Sequence, residues 1–186
     1  MIFSEMRVCG AFAIDLERRV DERGFFARSW CQQEFETQGL TARLVQINVS
    51  HNVHRGTLRG MHFQVSPHEE AKAVSCIQGA IYDVVLDLRP YSPTYLAWAA
   101  EELTAENHRS LYIPVGCAHG FQTLTEHAQV LYFMSEFYSP RHGRGVRYDD
   151  PAFGIKWPLE VTSISDADLS WPAFQPIMNA EMGRLA

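Results

Sequence analysis

A chain of 186 residues, of which 46% are hydrophobic and 20% charged, is large enough to bury the core of one soluble domain. Its formal net charge of −6 and its lack of a lysine or arginine run argue against general binding of nucleic acid. No apolar stretch has the length of a membrane span, and the N-terminus has no signal-peptide pattern, so a cytoplasmic protein is expected.

The N-terminal part mixes short strands with one helix. Val8–Leu16 is predicted as the first strand, and Asp21–Phe26 as a turn that leads into a short aromatic strand. Ser29 and the residues after it have the spacing of a capping box, which predicts a helix over Trp30–Thr37 that ends at Gly39.

From Leu44 onward the chain is predicted to be β-structure. Many short strands at even spacing, separated by turn-forming residues, indicate a sandwich or barrel. The predicted strands are Leu44–Val53, Thr57–Gln64, Ala71–Ile77, Ala80–Leu86, Thr94–Leu103, Ser110–Ile113, Gly120–Thr125 and Ala128–Glu136. We therefore expect one all-β domain over residues 1–186, with its core at about 44–136 and a tail of loop and short helix at about 139–186.

Two adjacent predicted strands carry polar side chains where a β-core would carry Val, Ile or Leu. These side chains are Gln46, Asn48 and Ser50 on the first strand and Arg59, His62 and Gln64 on the second. The pattern fits either strands that line a pocket or one edge sheet with a solvated outer face. Strict alternation would place Arg59 and His62 on opposite faces, so both can point inward only across a bulge, which Gly60 would permit.

His119 closes a P-x-G-x-x-H pattern, which is half of the metal-binding pattern of cupin barrels. The other half needs two histidines on one strand, whereas this chain offers only His62 there. Because a transition metal normally needs three or four ligands, a metal is the weaker alternative and would depend on Glu69 or Glu70. The cysteines are scattered without a C-x-x-C pair, which also argues against a zinc knuckle or a disulfide framework.

Lys72, Asp83 and Tyr132 are polar residues within apolar strand runs. The side chains of Lys72 and Asp83 each need a partner if they are buried. For Asp83 we predict a hydrogen bond to His119. Tyr132 by itself is most simply a packing residue, and Asp168 by itself is an ordinary acid in a helical turn.

Taken together, the motifs resemble the dTDP-4-dehydrorhamnose 3,5-epimerase family of nucleotide-sugar enzymes. The matching pieces are Asp21-x-Arg23-Gly24-x-Phe26, Gln46-x-Asn48-x-Ser50, Leu58-Arg59-Gly60-x-His62-x-Gln64, Lys72, Asp83-x-x-x-Asp87-Leu88-Arg89, Ser92-Pro93-Thr94, Pro114-x-Gly116-x-Ala118-His119-Gly120-Phe121, Tyr132, Tyr138-x-Pro140 and Asp149-Asp150-Pro151. The resemblance implies a cupin-like jelly-roll barrel with neither a metal nor another cofactor. It also implies a homodimer in which one subunit lends its N-terminal strand to the other subunit's site.

The resemblance further implies roles for single residues. His62 resembles the base, Asp168 its carboxylate partner, Tyr132 the acid and Lys72 the group that stabilises an enolate. Asp83 would support His119. The residues that the resemblance implies in substrate contact are Arg23, Phe26, Gln46, Asn48, Arg59, His119 and, stacked on the nucleotide base, Tyr138.

The implied reaction is epimerisation at C3, C5 or both of a nucleotide-linked 4-keto-6-deoxyhexose, in deoxysugar biosynthesis. The ketone acidifies both C–H bonds, and inversion needs a base on one face, an acid on the other and a positive group at the ketone oxygen. The sequence does not distinguish a double epimerase from one that acts at C3 or C5 alone. A metal-dependent cupin enzyme and a binding module without activity are further alternatives.

Three positions depart from the family pattern. Arg28 and Gly143 stand where the family usually has Glu, and Ala167 stands where it has Lys. Lost acceptors would leave groups of a dTDP ligand unpaired, so the departures favour CDP, GDP or an altered sugar. A wet rim, where water replaces the lost contacts, is the other interpretation.

Overall fold

The computed structural model describes residues 1–175, and its regular secondary structure is almost entirely β-strand. Within these residues the strands are β1 (Ile2–Glu5), β2 (Phe12–Asp15), β3 (Arg19–Asp21), β4 (Gly24–Phe26), β5 (Gln46–Asn52), β6 (Leu58–Gln64), β7 (Lys72–Gln78), β8 (Ala80–Asp87), β9 (Trp98–Thr104), β10 (Ser110–Ile113), β11 (Cys117–Thr123), β12 (Ala128–Met134) and β13 (Gly143–Gly145). The two helices are α1 (Gln32–Thr37) and α2 (Asp166–Leu169). Neither helix has the length and apolar character needed to cross a membrane. The predicted all-β class is confirmed.

Two antiparallel sheets pack against each other. One has the strand order β1-β2-β10-β7-β12-β5, and the other has the order β13-β6-β11-β8-β9. Strands β3 and β4 form a separate hairpin. Because side chains alternate between the faces of a strand, each sheet contributes every second residue to the space between them. At one end of that space Val74 and Val130 meet Ile81, Val85 and Phe121 in a fully apolar core.

All the strands predicted from Leu44 onward are present; Ser110–Ile113 has the predicted ends, and the others are shifted at one or both ends. The strand predicted from Thr94 begins at Trp98, because the preceding residues form a turn in which Leu96 has a φ of 63°. The strand predicted from Gly120 begins at Cys117. Strands β1, β2 and β13 also join the two main sheets, so the sheets extend beyond the expected core at both ends.

The N-terminal part differs more from the prediction. A turn at Gly10, where φ is 77°, breaks Val8–Leu16, so that only Phe12–Asp15 is a strand. The predicted capping box is wrong: α1 is preceded by Cys31 in extended conformation, without a side-chain cap. The extended backbone at this point lets Trp30 pack against Phe35, with their ring centroids 6.2 Å apart.

The bulge predicted at Gly60 is confirmed. Across the pairing of β6 with β11, His62 lies opposite His119, but Arg59 lies opposite Phe121. Three steps along β6 therefore match two along β11, so β6 holds one extra residue. Gly60 has a φ of 138°, and a Cβ there would lie 2.5 Å from Gly120 Cα, so only glycine fits.

Candidate active site

A cavity of about 640 Å³ opens between the two sheets next to the apolar core, a size typical of ligand-binding pockets. Its walls come from six strands, two loops and the segment around α2. The lining residues are Gln46, Asn48, Val49, Ser50, Arg59, His62, Phe63, Gln64, Glu70, Lys72, His119, Phe121, Tyr132, Met134, Tyr138, Pro140, Gly143, Arg144, Ala167, Asp168 and Trp171. Of the two interpretations of the polar strands, the pocket is therefore the correct one.

His62 and Asp168 form a hydrogen-bonded pair in the wall made by β6 and α2. His62 Nε2 lies 2.5 Å from Asp168 Oδ1, although the two residues are 106 positions apart. The imidazole is half exposed toward the cavity, whereas the carboxylate is buried. The hydrogen bond leaves the other ring nitrogen of His62 free to accept a proton.

Asp168 is held by more than the histidine. Its backbone N–H donates to the Ser165 side chain, which caps α2, and the Gly60 N–H donates to its Oδ2 at 3.4 Å. Burial acts to raise the pKa of Asp168, but the hydrogen bond and charge of His62 outweigh it, and the pKa lies below its usual value. The carboxylate is therefore ionised at neutral pH and can stabilise an imidazolium.

Tyr132 lies across the cavity from His62, on β12 of the other sheet. Burial raises the pKa of its phenol above 10, the charge of Asp83 adds to this effect, and Arg59 opposes it. The phenol therefore stays protonated and is available as a proton donor. Its ring meets that of His119 edge to face, with a centroid distance of 6.1 Å.

His119 is paired with Asp83, as predicted. His119 Nε2 lies 2.7 Å from Asp83 Oδ1, and the carboxylate is fully buried. This bond fixes the imidazole of His119 in the wall next to His62 on the neighbouring strand. Asp83 Oδ2 has no hydrogen-bond partner within residues 1–175.

Lys72 finds its partner in Glu70. Lys72 Nζ lies 2.6 Å from Glu70 Oε1, with both side chains buried, and Gln64 Nε2 donates to Glu70 Oε2 at 2.9 Å. Gln64 Oε1 in turn accepts the N–H of Ser139 at 2.6 Å. A chain of hydrogen bonds therefore runs from the loop that carries Tyr138 to the ammonium of Lys72.

Arg59 and the polar face of β5 complete the floor. Arg59 Nε donates to Asn52 Oδ1 at 2.7 Å, so its guanidinium is oriented by a neutral amide and keeps its charge for a ligand. Gln46 Nε2 donates to Asn48 Oδ1, and Gln46 Oε1 accepts the N–H of Tyr138. Anionic and hydroxyl groups of a ligand would both find partners here.

The structure does not bring Arg23 and Phe26 to the cavity of their own chain. Both lie on the β3–β4 hairpin, where Phe26 is 76% exposed and Arg23 pairs with Asp21 beside it. Of the positions that depart from the family pattern, Gly143 and Ala167 line the cavity. The third, Arg28, is paired with Glu34 of α1 instead.

Among the lining residues to which the sequence assigns no role in the site are Glu70, Gln64 and Trp171. From the sequence, Glu70 is a candidate only as a metal ligand. Its position two residues before a lysine in an apolar run is the feature that could have predicted the ion pair. Gln64 belongs to the Leu58–Gln64 motif, but the sequence assigns it no catalytic or binding role. Trp171 had no signal in the sequence; its indole lies across Gly145, where a Cβ would come within 2.3 Å of it.

The donor set of the cavity does not form a metal centre within the described part of the chain. No three His, Cys, Asp or Glu side chains there are placed to hold a metal ion. The two cavity histidines are each hydrogen-bonded to a carboxylate instead.

Comparison with known proteins points to one family. The sequence model of the family described as dTDP-4-dehydrorhamnose 3,5-epimerase matches residues 5–176. A dTDP-4-dehydrorhamnose 3,5-epimerase of Methanothermobacter thermautotrophicus is 42% identical over 172 residues, which cover 91% of this chain and 92% of that protein. A dTDP-4-dehydrorhamnose 3-epimerase of Streptomyces niveus is 39% identical over 160 residues, which cover 86% of this chain and 77% of that protein.

The fold agrees with the sequence match. The crystal structure of the dTDP-4-dehydrorhamnose 3,5-epimerase of Bacillus anthracis with TDP and PPi bound superimposes with a TM-score of 0.88 at 41% identity. The match covers 93% of this chain and 99% of that chain. The expected cupin-like jelly roll is thereby confirmed.

Proposed function

Because this chain belongs to the dTDP-4-dehydrorhamnose 3,5-epimerase family and is therefore an isomerase, we propose that it epimerises a dTDP-linked 4-keto-6-deoxyhexose at C3 and C5. The observation that carries the proposal is the placement of a carboxylate-held imidazole and a protonated phenol on opposite walls of one cavity, with the buried Lys72 also in its wall. The reaction supplies a step of deoxysugar biosynthesis, and the cytoplasmic location expected from the sequence is part of the proposal.

The mechanism follows from these placements. His62 takes the proton from the carbon next to the ketone, and the C–H electron pair moves through the new C=C bond onto the ketone oxygen. The ammonium of Lys72 stabilises this enolate oxygen, while Asp168 stabilises the imidazolium. Tyr132 then returns a proton to the opposite face of the carbon, which inverts it. Solvent reprotonates the phenolate and removes the proton from His62, and the same cycle serves the second carbon.

The rest of the cavity binds the nucleotide diphosphate. Within residues 1–175 the guanidinium of Arg59 has no carboxylate partner, which suits the binding of phosphate oxygens. His119, Gln46 and Asn48 offer hydrogen bonds to the sugar and the diphosphate. Tyr138, which is 65% exposed at the rim, offers its ring for stacking on the base.

The test of the proposal is incubation with dTDP-4-keto-6-deoxyglucose in D₂O, followed by NMR. Deuterium should enter at both C3 and C5, and a product with both centres inverted should accumulate. Absence of exchange at either carbon would overturn the proposal. Activity on the same substrate should be measured before and after the enzyme is treated with a metal chelator, and the metal content of the protein should be determined. These measurements distinguish this mechanism from a metal-dependent one.

A single epimerase is the second candidate function. Its support is the Streptomyces niveus relative, which is named a 3-epimerase and is 39% identical to this chain. The two candidates share the acid and the base, so they differ in the sugar pose and not in the catalytic residues. Exchange and inversion confined to one carbon in the D₂O experiment would select this candidate.

The identity of the nucleotide is part of the proposal. The relatives are named for dTDP, and Arg28 is engaged with Glu34 away from the cavity of its own chain. Gly143 and Ala167 do line the cavity, so two of the three departures remain relevant to the ligand. Competition among dTDP, CDP, GDP and UDP for binding tests the choice, and a preference for CDP or GDP would replace dTDP in the proposal.

We further propose that the active form is a homodimer with exchange of the N-terminal hairpin. The β3–β4 hairpin exposes Val20 and Phe26, and β5 exposes Ile47 and Val49. Such exposed apolar groups fit burial against a second copy of the chain. The hairpin would then carry Arg23 and Phe26 into the partner's cavity.

Mixed dimers test the exchange. Arg23→Ala and His62→Asn variants should each be inactive or weak as pure dimers. In a heterodimer, the cavity of the Arg23→Ala subunit keeps its own His62 and receives an intact hairpin, so mixing should restore activity. No gain on mixing, in a sample shown by mass to contain heterodimers, would contradict the exchange.

A further inference from the structure

The motif Asp149-Asp150-Pro151 lies outside the cavity, yet one of its acids is buried. Asp150 is 4% exposed, and its two carboxylate oxygens accept different backbone N–H groups. Oδ1 accepts that of Ala152 at 2.9 Å, and Oδ2 accepts that of Phe174 at 2.7 Å. Asp150 therefore joins the loop after β13 to a point 24 residues further along the chain.

Phe174 marks the far end of the segment that carries Asp168. The near end is held where Ser163 bridges to Thr57, with Ser163 O accepting the N–H of Leu58 at 2.8 Å. The far end is held by Asp150 and by the ring of Phe153, whose centroid lies 4.9 Å from that of Phe174. We call residues 163–174 the tail segment.

The tail segment forms one wall of the cavity between these two attachments. Ala167, Asp168 and Trp171 all line the cavity from this segment. The helix within it, α2, is only four residues long and cannot hold its own geometry in isolation. The position of the Asp168 carboxylate therefore depends on how firmly the two ends of the segment are attached.

We propose that Asp150 is a positioning residue for the epimerisation: by holding Phe174 it keeps the tail segment closed and the Asp168 carboxylate against His62. This inference rests on the proposed function, because it concerns the support of the proposed base. Asp150 does not line the cavity, so its effect reaches the reaction only through the tail segment. A carboxylate suits this role because each of its two oxygens accepts a different N–H group, whereas an amide has only one acceptor atom.

The test compares Asp150→Asn with Asp149→Asn. The amide of the first variant presents an NH₂ group to one of the two backbone donors, which opens the attachment with little change in volume. Asp149 is the matched control, since its half-exposed carboxylate pairs with Arg147 at the surface. Hydrogen exchange should increase across the tail segment in Asp150→Asn and stay unchanged in Asp149→Asn.

Turnover provides the second readout. Because a displacement of about 1 Å in a catalytic group costs about 10²-fold in rate, kcat of Asp150→Asn should fall about 10- to 100-fold. In an Asp168→Asn background the further loss from Asp150→Asn should vanish, because the group that it positions is already gone.

Two results would overturn the inference. One is a wild-type kcat in Asp150→Asn, and the other is a decrease in kcat by the same factor whether or not the Asp168 carboxylate is present. If Asp150→Asn does not fold, Phe174→Ala removes the ring contact with Phe153 and keeps the N–H, and it should show the same dependence on Asp168. Absence of epimerisation by the unmodified enzyme would instead refute the proposed function. The hydrogen-exchange measurement on the protein still tests whether Asp150 holds the tail segment in that case. Unchanged hydrogen exchange in Asp150→Asn would refute this attachment.

Discussion

Lys72 and Glu70 form an ion pair of 2.6 Å in the wall of the cavity, and less than a tenth of either side chain is exposed. Two opposite charges buried at this distance stabilise each other strongly, but each costs free energy to remove from water. The pair is therefore more important for keeping an ammonium in place within the site than for stability as such. Substitutions can separate the contribution of the pair to stability from the contribution of Lys72 to the reaction.

Removal of one partner should destabilise the fold more than removal of both. Lys72→Met leaves the Glu70 carboxylate buried and unpaired, and should lower the free energy of unfolding by about 3–5 kcal/mol. The double variant Lys72→Met with Glu70→Gln should recover most of that loss while remaining inactive. Urea unfolding and the D₂O exchange assay measure the two effects. Equal stability of the single and double variants would contradict the burial of the pair.

His62→Asn should fold normally and lose solvent exchange at both C3 and C5. General acid–base catalysis is worth about 10²–10⁴-fold, so turnover should fall by at least the lower figure. NMR in D₂O measures the exchange, and circular dichroism confirms the fold. Retained exchange at both carbons would remove His62 from the role of the base.

Tyr132→Phe should separate exchange from inversion. The phenol is held protonated by burial, so it donates to the carbon after His62 has removed the first proton. Without it, deuterium should still enter through His62, but on the original face, so inverted product should be lost. Epimerisation by the Phe variant at the rate of the unmodified enzyme would show that Tyr132 is not the acid.

Asp87 should account for part of the decrease in folding stability at acidic pH. Burial alone would raise its pKa, but hydrogen bonds from Arg89, Ser92 and Thr94 prevail and lower the pKa to about 2. Because the folded pKa lies below the unfolded value of about 3.9, the stabilisation is complete above pH ~4. As pH falls toward 2 about 2 kcal/mol should be lost.

Acid unfolding of Asp87→Asn tests this assignment. The variant should be less stable at neutral pH and should lose the additional pH dependence between about 4 and 2. Asp21→Asn is the control, since the Asp21 pKa is also lowered, by Arg23, but the pair is exposed to solvent and should contribute little. An unchanged acid transition in Asp87→Asn would contradict the prediction.

Gly145→Ala should displace Trp171 from the cavity wall. The added Cβ would lie 2.3 Å from the indole and 2.8 Å from Met61 O, and overpacking of this kind costs about 1–3 kcal/mol. Gly143→Ala is the matched control on the same strand, because its Cβ would meet no atom closer than 3.8 Å. Thermal stability and kcat should both fall for the first variant, whereas the thermal stability of the second should stay nearly constant. Similar behaviour of both would contradict the packing of Trp171.

Local features of the sequence were enough to predict the β-class and the polar faces of β5 and β6, whereas the roles of Tyr132, Tyr138 and Asp168 came only from the family resemblance. The alternation along β5 and β6 predicted their polar inner faces, because the two faces of a strand are set by the chain itself. The need for a bulge at Gly60 also followed locally, from the spacing of Arg59 and His62 and the conformational freedom of glycine. The pairing of Asp83 with His119 could be predicted because a buried carboxylate must have a partner.

The tertiary structure alone decided which distant groups meet. The capping box at Ser29 does not form: α1 begins only at Gln32, and Trp30 packs on Phe35 ahead of the helix. Trp171 against Gly145, and Asp150 against Phe174, join segments that no periodicity connects. Such contacts depend on the shape of the surface that the packed sheets leave uncovered, and on the buried polar groups there that still need partners. Alternation along the chain reports which face a side chain takes, but not which remote segment will cover it.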